Sequence, residues 1–246
     1  QFIFNDVEET HKILGTWEDV KRELGDVKGK KILEIGCSRG RFSIFLAKQG
    51  AIVTGIDIGE NLILAAKELA KINNVDCNFK ACSAADMKLD ETYDVIIGFA
   101  VLHHMNEESV MTSFRDFYRL LKNKGIAIFT EPVENSKSFE ILQNLIPIPE
   151  RPSILQRNKW KTYYKNLDDR PMSNTEFINV GKVNNFRSTK IFPHGLIIRL
   201  SKILGKKNKK RFNSANLLLK KFNKVLFKFF PILKRYCRQV VVVYCK

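Results

Sequence analysis

Lys31-Ile-Leu-Glu-Ile-Gly36-Cys-Ser-Arg-Gly40-Arg-Phe-Ser-Ile-Phe45 is the stretch on which the fold turns. Lys31 to Ile35 is a short apolar run of the kind that forms a strand buried on both faces. It stops at a turn holding two glycines, and from Arg41 to Gln49 the apolar residues recur at helical spacing. Glycine at such a turn permits positive φ and lets a ligand approach the backbone, while the following helix presents unpaired N–H groups. A nucleoside with a polar tail fits that place, although a plain strand-to-helix junction has the same look.

Working outward, Ala51 to Asp57, Tyr93 to Phe99 and Gly125 to Thr130 repeat the strand pattern. Asn61 to Ile72 and Glu107 to Lys122 repeat the helical one, with Asn106 placed to cap the second. Strand and helix in alternation imply parallel βαβ units with right-handed crossovers. Asp57 falls at the end of the second strand, seventeen residues after Gly40. An acid there is placed to accept hydrogen bonds from ribose hydroxyls. Taken alone, it could equally cap the next helix.

Beyond Thr130 the alternation breaks. Glu131 to Met172 holds five of the seven prolines and is expected to lie over the strand ends as a substrate-side insertion. A weak strand is expected over Lys182 to Phe192 and a strong one, with four consecutive valines, over Arg238 to Cys245. Ile197 to Arg235 between them is basic and mostly helical in pattern, with an exposed loop at Gly205 to Arg211. The layout expected is one domain: a ligand-binding half over 1–131, a cap over 132–181 and a basic part over 182–246 that ends in the last strand.

Glu34 to Gly40 resembles the first motif of the class I, Rossmann-like S-adenosylmethionine methyltransferases, acid-x-Gly-x-Gly-x-Gly, with Ser38 in place of the middle glycine. It departs from the nicotinamide fingerprint, Gly-x-Gly-x-x-Gly, because Gly40 stands at the wrong spacing. Cys82 to Leu89 resembles the segment after the family's third strand, Tyr93 to Met105 its fourth strand and exit loop, and Leu121 to Glu131 the turn into its fifth. The resemblance implies a doubly wound, mostly parallel seven-stranded α/β sheet with helices on both faces. It also implies S-adenosyl-L-methionine as cofactor. The residues that would bind it are Glu34, Gly36, Cys37, Ser38 and Gly40 from the first turn; Asp57, Ile58 and Asn61 from the second; Ser83 and Ala84 at the adenine, with Asp86 as an alternative; and Phe99 and Ala100 leaving the fourth strand.

Methyl transfer from a sulfonium is an in-line displacement, so the protein's main task is to align nucleophile, methyl carbon and sulfur. A hydroxyl acceptor also needs a base, and imidazole suits neutral pH. His103 and His104 stand at the exit of the fourth strand, where open α/β sheets bind ligands. The alternative for one ring is packing over the cofactor or capping a helix. Glu131, Tyr163, Tyr164 and His194 are reserve bases. Gly98-Phe-Ala-Val101 replaces the Asn/Asp-Pro-Pro-aromatic motif of nucleobase amino methylation, and no cysteine follows the fourth strand to serve cytosine C5 chemistry. The five cysteines contain no Cys-x-x-Cys pair and suggest neither a zinc site nor a disulfide framework.

The net charge of +16 is unevenly placed. Residues 181–246 hold eighteen Lys or Arg and no acid, against 24 bases and 26 acids before them. Asn216 to Phe230 reads as an amphipathic helix with Lys220, Lys224 and Lys228 in one line and Leu218, Phe222, Val225, Leu226 and Phe229 opposite. Such a helix suits an anionic membrane surface; a helix packed on the sheet has the same pattern. No apolar run reaches the ~20 residues of a membrane span, and no secretory leader is evident, so a cytoplasmic protein, peripheral at the membrane, is expected. The C-terminal half loosely resembles methyltransferases of lipids, polyketides and sugars, which implies O-methylation of a small acceptor of that kind. The alternatives are an RNA methyltransferase using the basic face, whose binding would weaken steeply with salt, and a non-catalytic cofactor-binding module.

Overall fold

The computed structural model describes residues 16–134, 145, 155–159, 161, 170–195, 222 and 225–246. The elements in chain order are α1 (Trp17–Leu24), β1 (Lys31–Ile35), α2 (Arg41–Ala47), β2 (Ile52–Asp57), α3 (Glu60–Ile72), β3 (Cys77–Ala81) and β4 (Tyr93–Phe99). A 3₁₀ turn (Leu102–His104) follows, then α4 (Glu107–Leu120), β5 (Leu121–Pro132), α5 (Asn174–Val183), β6 (Ser188–His194), a second 3₁₀ turn (Pro231–Tyr236) and β7 (Gln239–Cys245).

The strands form one seven-stranded sheet in the order β3-β2-β1-β4-β5-β7-β6. β1 to β5 are parallel, whereas β7 runs antiparallel to both β5 and β6. This is the doubly wound α/β sheet expected. The order reverses between β1 and β4, so the crevice where such sheets bind ligands opens beyond the C-terminal ends of those two strands.

Alternate side chains divide the core into two faces. Leu33, Ile35, Ile96, Phe129, Val242 and Tyr244 pack with Phe114 and Phe117 of α4 and Phe177 of α5. Ile32, Val53, Val95, Ile97, Val241 and Val243 pack with Trp17, Val20 and Leu24 of α1 and Phe42 and Phe45 of α2. A smaller cluster joins Ile44 to Ile63, Ala66 and Phe79. Asn106 caps α4 as expected, its side-chain oxygen accepting from the Ser109 N–H at 2.8 Å.

Three parts differ from expectation. α1 was not anticipated, although Trp17, Val20 and Leu24 at positions i, i+3 and i+7 carry its buried stripe. The strand expected from Lys182 begins at Ser188, because Lys182 and Val183 close α5. α5 starts at a capping box in which the Ser173 side chain accepts from the Glu176 N–H while Glu176 accepts from the Ser173 N–H. Residues 174–181 of the stretch read as a cap thus cover the sheet, with Phe177 fully buried. Most of that stretch, Tyr163 and Tyr164, the loop at 205–211 and, of the helix expected over 216–230, residues 216–221, 223 and 224 lie outside the described residues.

α5 lies close to β7 because residue 181 has no side chain. A Cβ there would stand 2.3 Å from Thr189 Oγ1 and 3.0 Å from the Tyr244 ring. Overpacking of this kind costs about 1–3 kcal/mol. Gly181→Ala should therefore lower unfolding stability by that amount in a denaturant titration, and an unchanged midpoint would contradict the packing.

Candidate active site

Beyond the ends of β1, β2 and β4 lies a cavity of about 520 Å³, within the ordinary range for small-molecule sites. Its wall is mainly apolar, from Ile35, Ile56, Ile58, Phe99, Val101 and Met105, with Asp57, Ser83, His104, Asn106 and Ser109 as polar members.

The turn after β1 is wound through left-handed positions, with φ of 67° at Gly36, 48° at Ser38 and 69° at Gly40. Two glycines are required here sterically. A Cβ on Gly36 would meet Val101 Cγ2 at 2.9 Å, and one on Gly40 would meet the Phe79 ring at 2.5 Å. Ser38 adopts the same region without being glycine, which costs roughly 1–2 kcal/mol. Its N–H donates to Asp57 Oδ2 at 2.8 Å.

Asp57 also accepts from the Gly59 N–H through Oδ1 at 2.9 Å. One carboxylate thus ties the β1 turn to the β2 turn. Each oxygen keeps acceptor capacity after one such bond, and the side chain lines the cavity. Ile58 beside it is 78% exposed and supplies an apolar wall.

The opposite wall is held by a second carboxylate. Glu131, buried at the end of β5, accepts through Oε1 from the N–H groups of Val101 at 2.8 Å and Leu102 at 2.9 Å. Its Oε2 lies 2.7 Å from Nδ1 of the buried His103. The His103 and His104 rings lie 4.0 Å apart between centroids, but of the two only His104 lines the cavity. Ala100 leads into this loop at a left-handed φ of 52°, its N–H donating to the Thr130 carbonyl at 2.8 Å. Backbone held in a sparsely populated region is characteristic of functional sites.

Of the residues singled out from the sequence, Gly36, Asp57, Ile58, Ser83, Ala84, Phe99, Ala100 and His104 meet at the cavity. Glu34, Cys37, Ser38, Gly40, Asn61, Asp86 and His103 do not line it. Glu34 is buried and bonded to the Ser43 hydroxyl of α2, since alternation turns it to the sheet face opposite Leu33 and Ile35. Cys37 packs with Ile44 and Phe79, Ser38 and Gly40 shape the turn, and His103 is turned to Glu131. Asn61 and Asp86 are exposed. His194, a reserve base, lies on β6 with Nε2 2.8 Å from Asp19 of α1, away from the cavity. Glu131 was anticipated only as a reserve base. No sequence spacing announces its bonds to Val101, Leu102 and His103, because β5 and the β4 exit loop meet only in the folded sheet. Among the described residues no cluster of His, Cys, Asp and Glu is arranged to hold a metal ion.

Residues 32–125 match the model of the methyltransferase domain. The chain is 30% identical over 153 residues to a ubiquinone biosynthesis O-methyltransferase of Pseudomonas savastanoi pv. phaseolicola, covering 58% of this chain and 64% of that protein. The chain spans less than two thirds of the length of the curated relatives it matches, from 44% to 64%. Among solved structures, magnesium protoporphyrin IX methyltransferase of Synechocystis PCC 6803, with bound SAH, superposes with a TM-score of 0.60 at 15% identity, covering 96% of this chain and 87% of that one. Phosphoethanolamine N-methyltransferase 2 of Haemonchus contortus, in complex with S-adenosyl-L-methionine, superposes at 0.63 and 16% identity, covering 94% and 52%. At such identities the superpositions speak for the fold alone.

Burial pushes the Glu34 carboxyl up to about 8, against Ser43 hydrogen bonds that favour the ionised form. Between its ordinary value of 4.5 and about 8 the folded protein holds a proton that the unfolded chain releases, so this group's contribution to stability is lost as pH rises through that window. Glu34→Gln should flatten the fall in denaturation midpoint over that range. An identical pH profile in the variant would contradict the assignment.

Proposed function

We propose that the chain, whose residues 32–125 match a methyltransferase domain, is a class I, Rossmann-like S-adenosylmethionine methyltransferase that transfers a methyl group to a hydroxyl of a small lipid-linked, polyketide or sugar-containing acceptor. One observation carries the reading: a carboxylate suited to ribose, Asp57, and an imidazole, His104, face the same cavity from opposite sides of the β1–β4 crevice. The fit to an adenosyl amino acid rests on the side-chain-free floor at Gly36, the remaining acceptor capacity of Asp57 and the apolar walls at Ile58 and Phe99. The named O-methyltransferase relative supports oxygen as the atom methylated.

When bound, S-adenosylmethionine supplies an electrophilic methyl on a sulfonium sulfur. Gly36 and the turn to Gly40 would seat its amino-acid end, Asp57 would accept from its ribose hydroxyls, and Ser83 and Ala84 would border its base. His104, facing the cavity, would take the proton of the acceptor hydroxyl as that oxygen is methylated. Glu131 holds Val101, Leu102 and His103, fixing the loop from which His104 projects. The chain's contribution is thus alignment and one proton transfer.

Loss of a charged acceptor of hydrogen bonds costs about 1.5–3 kcal/mol. Asp57→Ala should therefore weaken S-adenosylhomocysteine binding at least tenfold in calorimetry, and near-normal affinity would refute the site. With a labelled methyl donor and separate lipid, glycan and RNA pools, product should form in the lipid or glycan pool. His104→Ala should slow it by about 10²–10⁴-fold with S-adenosylhomocysteine affinity retained. Label confined to RNA, or in no pool, would overturn the acceptor assignment.

A further inference from the structure

The sheet carries an unusual surface at the same end as the cavity. Phe222, Val225, Phe229, Phe230 and Ile232 are each more than half exposed. Val225 to Phe229 is helical and Pro231–Tyr236 is a 3₁₀ turn, with Lys228 and Lys234 exposed among the apolar side chains. Soluble proteins seldom leave so many large apolar side chains together in water without a partner.

The register fixes where this segment stands. Gln239, at the start of β7, pairs with Pro132 at the C-terminal end of β5 and with His194 at the end of β6. Just before it, the Arg238 N–H donates to the His194 carbonyl at 3.1 Å and the Arg238 carbonyl accepts from Val133 at 2.9 Å. The exposed segment therefore rises from the end of the sheet at which β1, β2 and β4 open into the cavity. β7 is two strands from β4, roughly 10 Å at ordinary strand spacing.

We infer that residues 225–234 are a docking surface for an anionic lipid bilayer, with Phe229, Phe230 and Ile232 entering the headgroup layer and Lys228 and Lys234 meeting lipid phosphates. Charge and apolarity together select this partner. Residues 181–246 hold eighteen bases and no acid; the opposing charges exposed at the same end of the sheet among the described residues include Glu134 beyond β5 and Asp86, Glu107 and Glu108 beside the cavity. A nucleic acid would satisfy the lysines but not a cluster of valine, isoleucine and phenylalanine; a neutral protein partner would satisfy the cluster but not the charge. Lysine stems lie along apolar surface while their ammonium groups reach outward, and apolar side chains on such a segment bury about 5–10 Å into the headgroup boundary. Among the described residues no helix is long and apolar enough to cross a membrane, so the contact is peripheral. Docking by this end would bring the mouth of the cavity to the bilayer, where an acceptor with a lipid tail resides.

This inference stands apart from methyl transfer and is tested without an acceptor. The full chain is floated with vesicles of phosphatidylcholine alone and of phosphatidylcholine mixed equally with phosphatidylglycerol. It should bind the mixed vesicles at low salt, bind them less as salt rises, and bind neutral vesicles weakly. Phe229→Ser with Phe230→Ser and Ile232→Ser should reduce binding to the mixed vesicles by about tenfold or more, with S-adenosylhomocysteine affinity unchanged as the measure of an intact fold. Lys228→Glu with Lys234→Glu should weaken binding mainly at low salt. Absence of wild-type flotation, equal flotation with both vesicles, loss of flotation when RNA is added, or undiminished binding by a folded triple variant would each overturn it.

Discussion

A single carboxylate, Asp57, links the turns that follow β1 and β2, beside the bond from the Cys37 N–H to the Ile56 carbonyl. By accepting from the Ser38 and Gly59 backbone N–H groups, it fixes the two turns against each other, and its side chain lines the crevice. The arrangement depends on the left-handed winding at Gly36, Ser38 and Gly40. Only that winding brings the Ser38 N–H round to β2. The two glycines are sterically obligatory, one against Val101 and the other against Phe79, so the turn is tied at once to the cavity wall and to the α2–α3 core.

The far wall repeats the device in a drier setting. Glu131 binds two consecutive N–H groups and a histidine ring, all within the protein. Buried carboxylates persist when their oxygens are satisfied by donors, and here the donors all belong to the loop between β4 and α4. The two acids thus make a rigid frame on either side of the switch point. Asp57 is half-buried and borders the cavity; Glu131 is hidden and shapes it. A third acid, Glu34, is buried on the opposite sheet face, where burial raises its proton affinity and Ser43 is its partner.

Much of this was legible in the chain because it rests on local patterns. The apolar runs at Lys31–Ile35 and Tyr93–Phe99 match the observed strands, and the Asn106 cap follows from residue type and position alone. The meeting of Asp57 with the glycine turn follows from strand order in any doubly wound sheet. What escaped reading depends on contacts between distant segments or on weak local cues. Glu131 gains its role only when β5 lies beside β4. Glu34, Cys37 and His103 belong to the motifs that build the site, yet pleating and packing turn them inward. α5 was hidden in a proline-rich, mixed-composition stretch, although Ser173 and Glu176 mark its start.

The central claim is that this crevice holds the methyl donor. A crystal of the full chain grown with S-adenosylhomocysteine tests it most directly. The account predicts the adenosyl group between Ile58 and Phe99, its ribose hydroxyls on Asp57 and its amino-acid end over Gly36. Ligand density elsewhere on the sheet, or a crevice closed by protein side chains in the presence of saturating ligand, would contradict it.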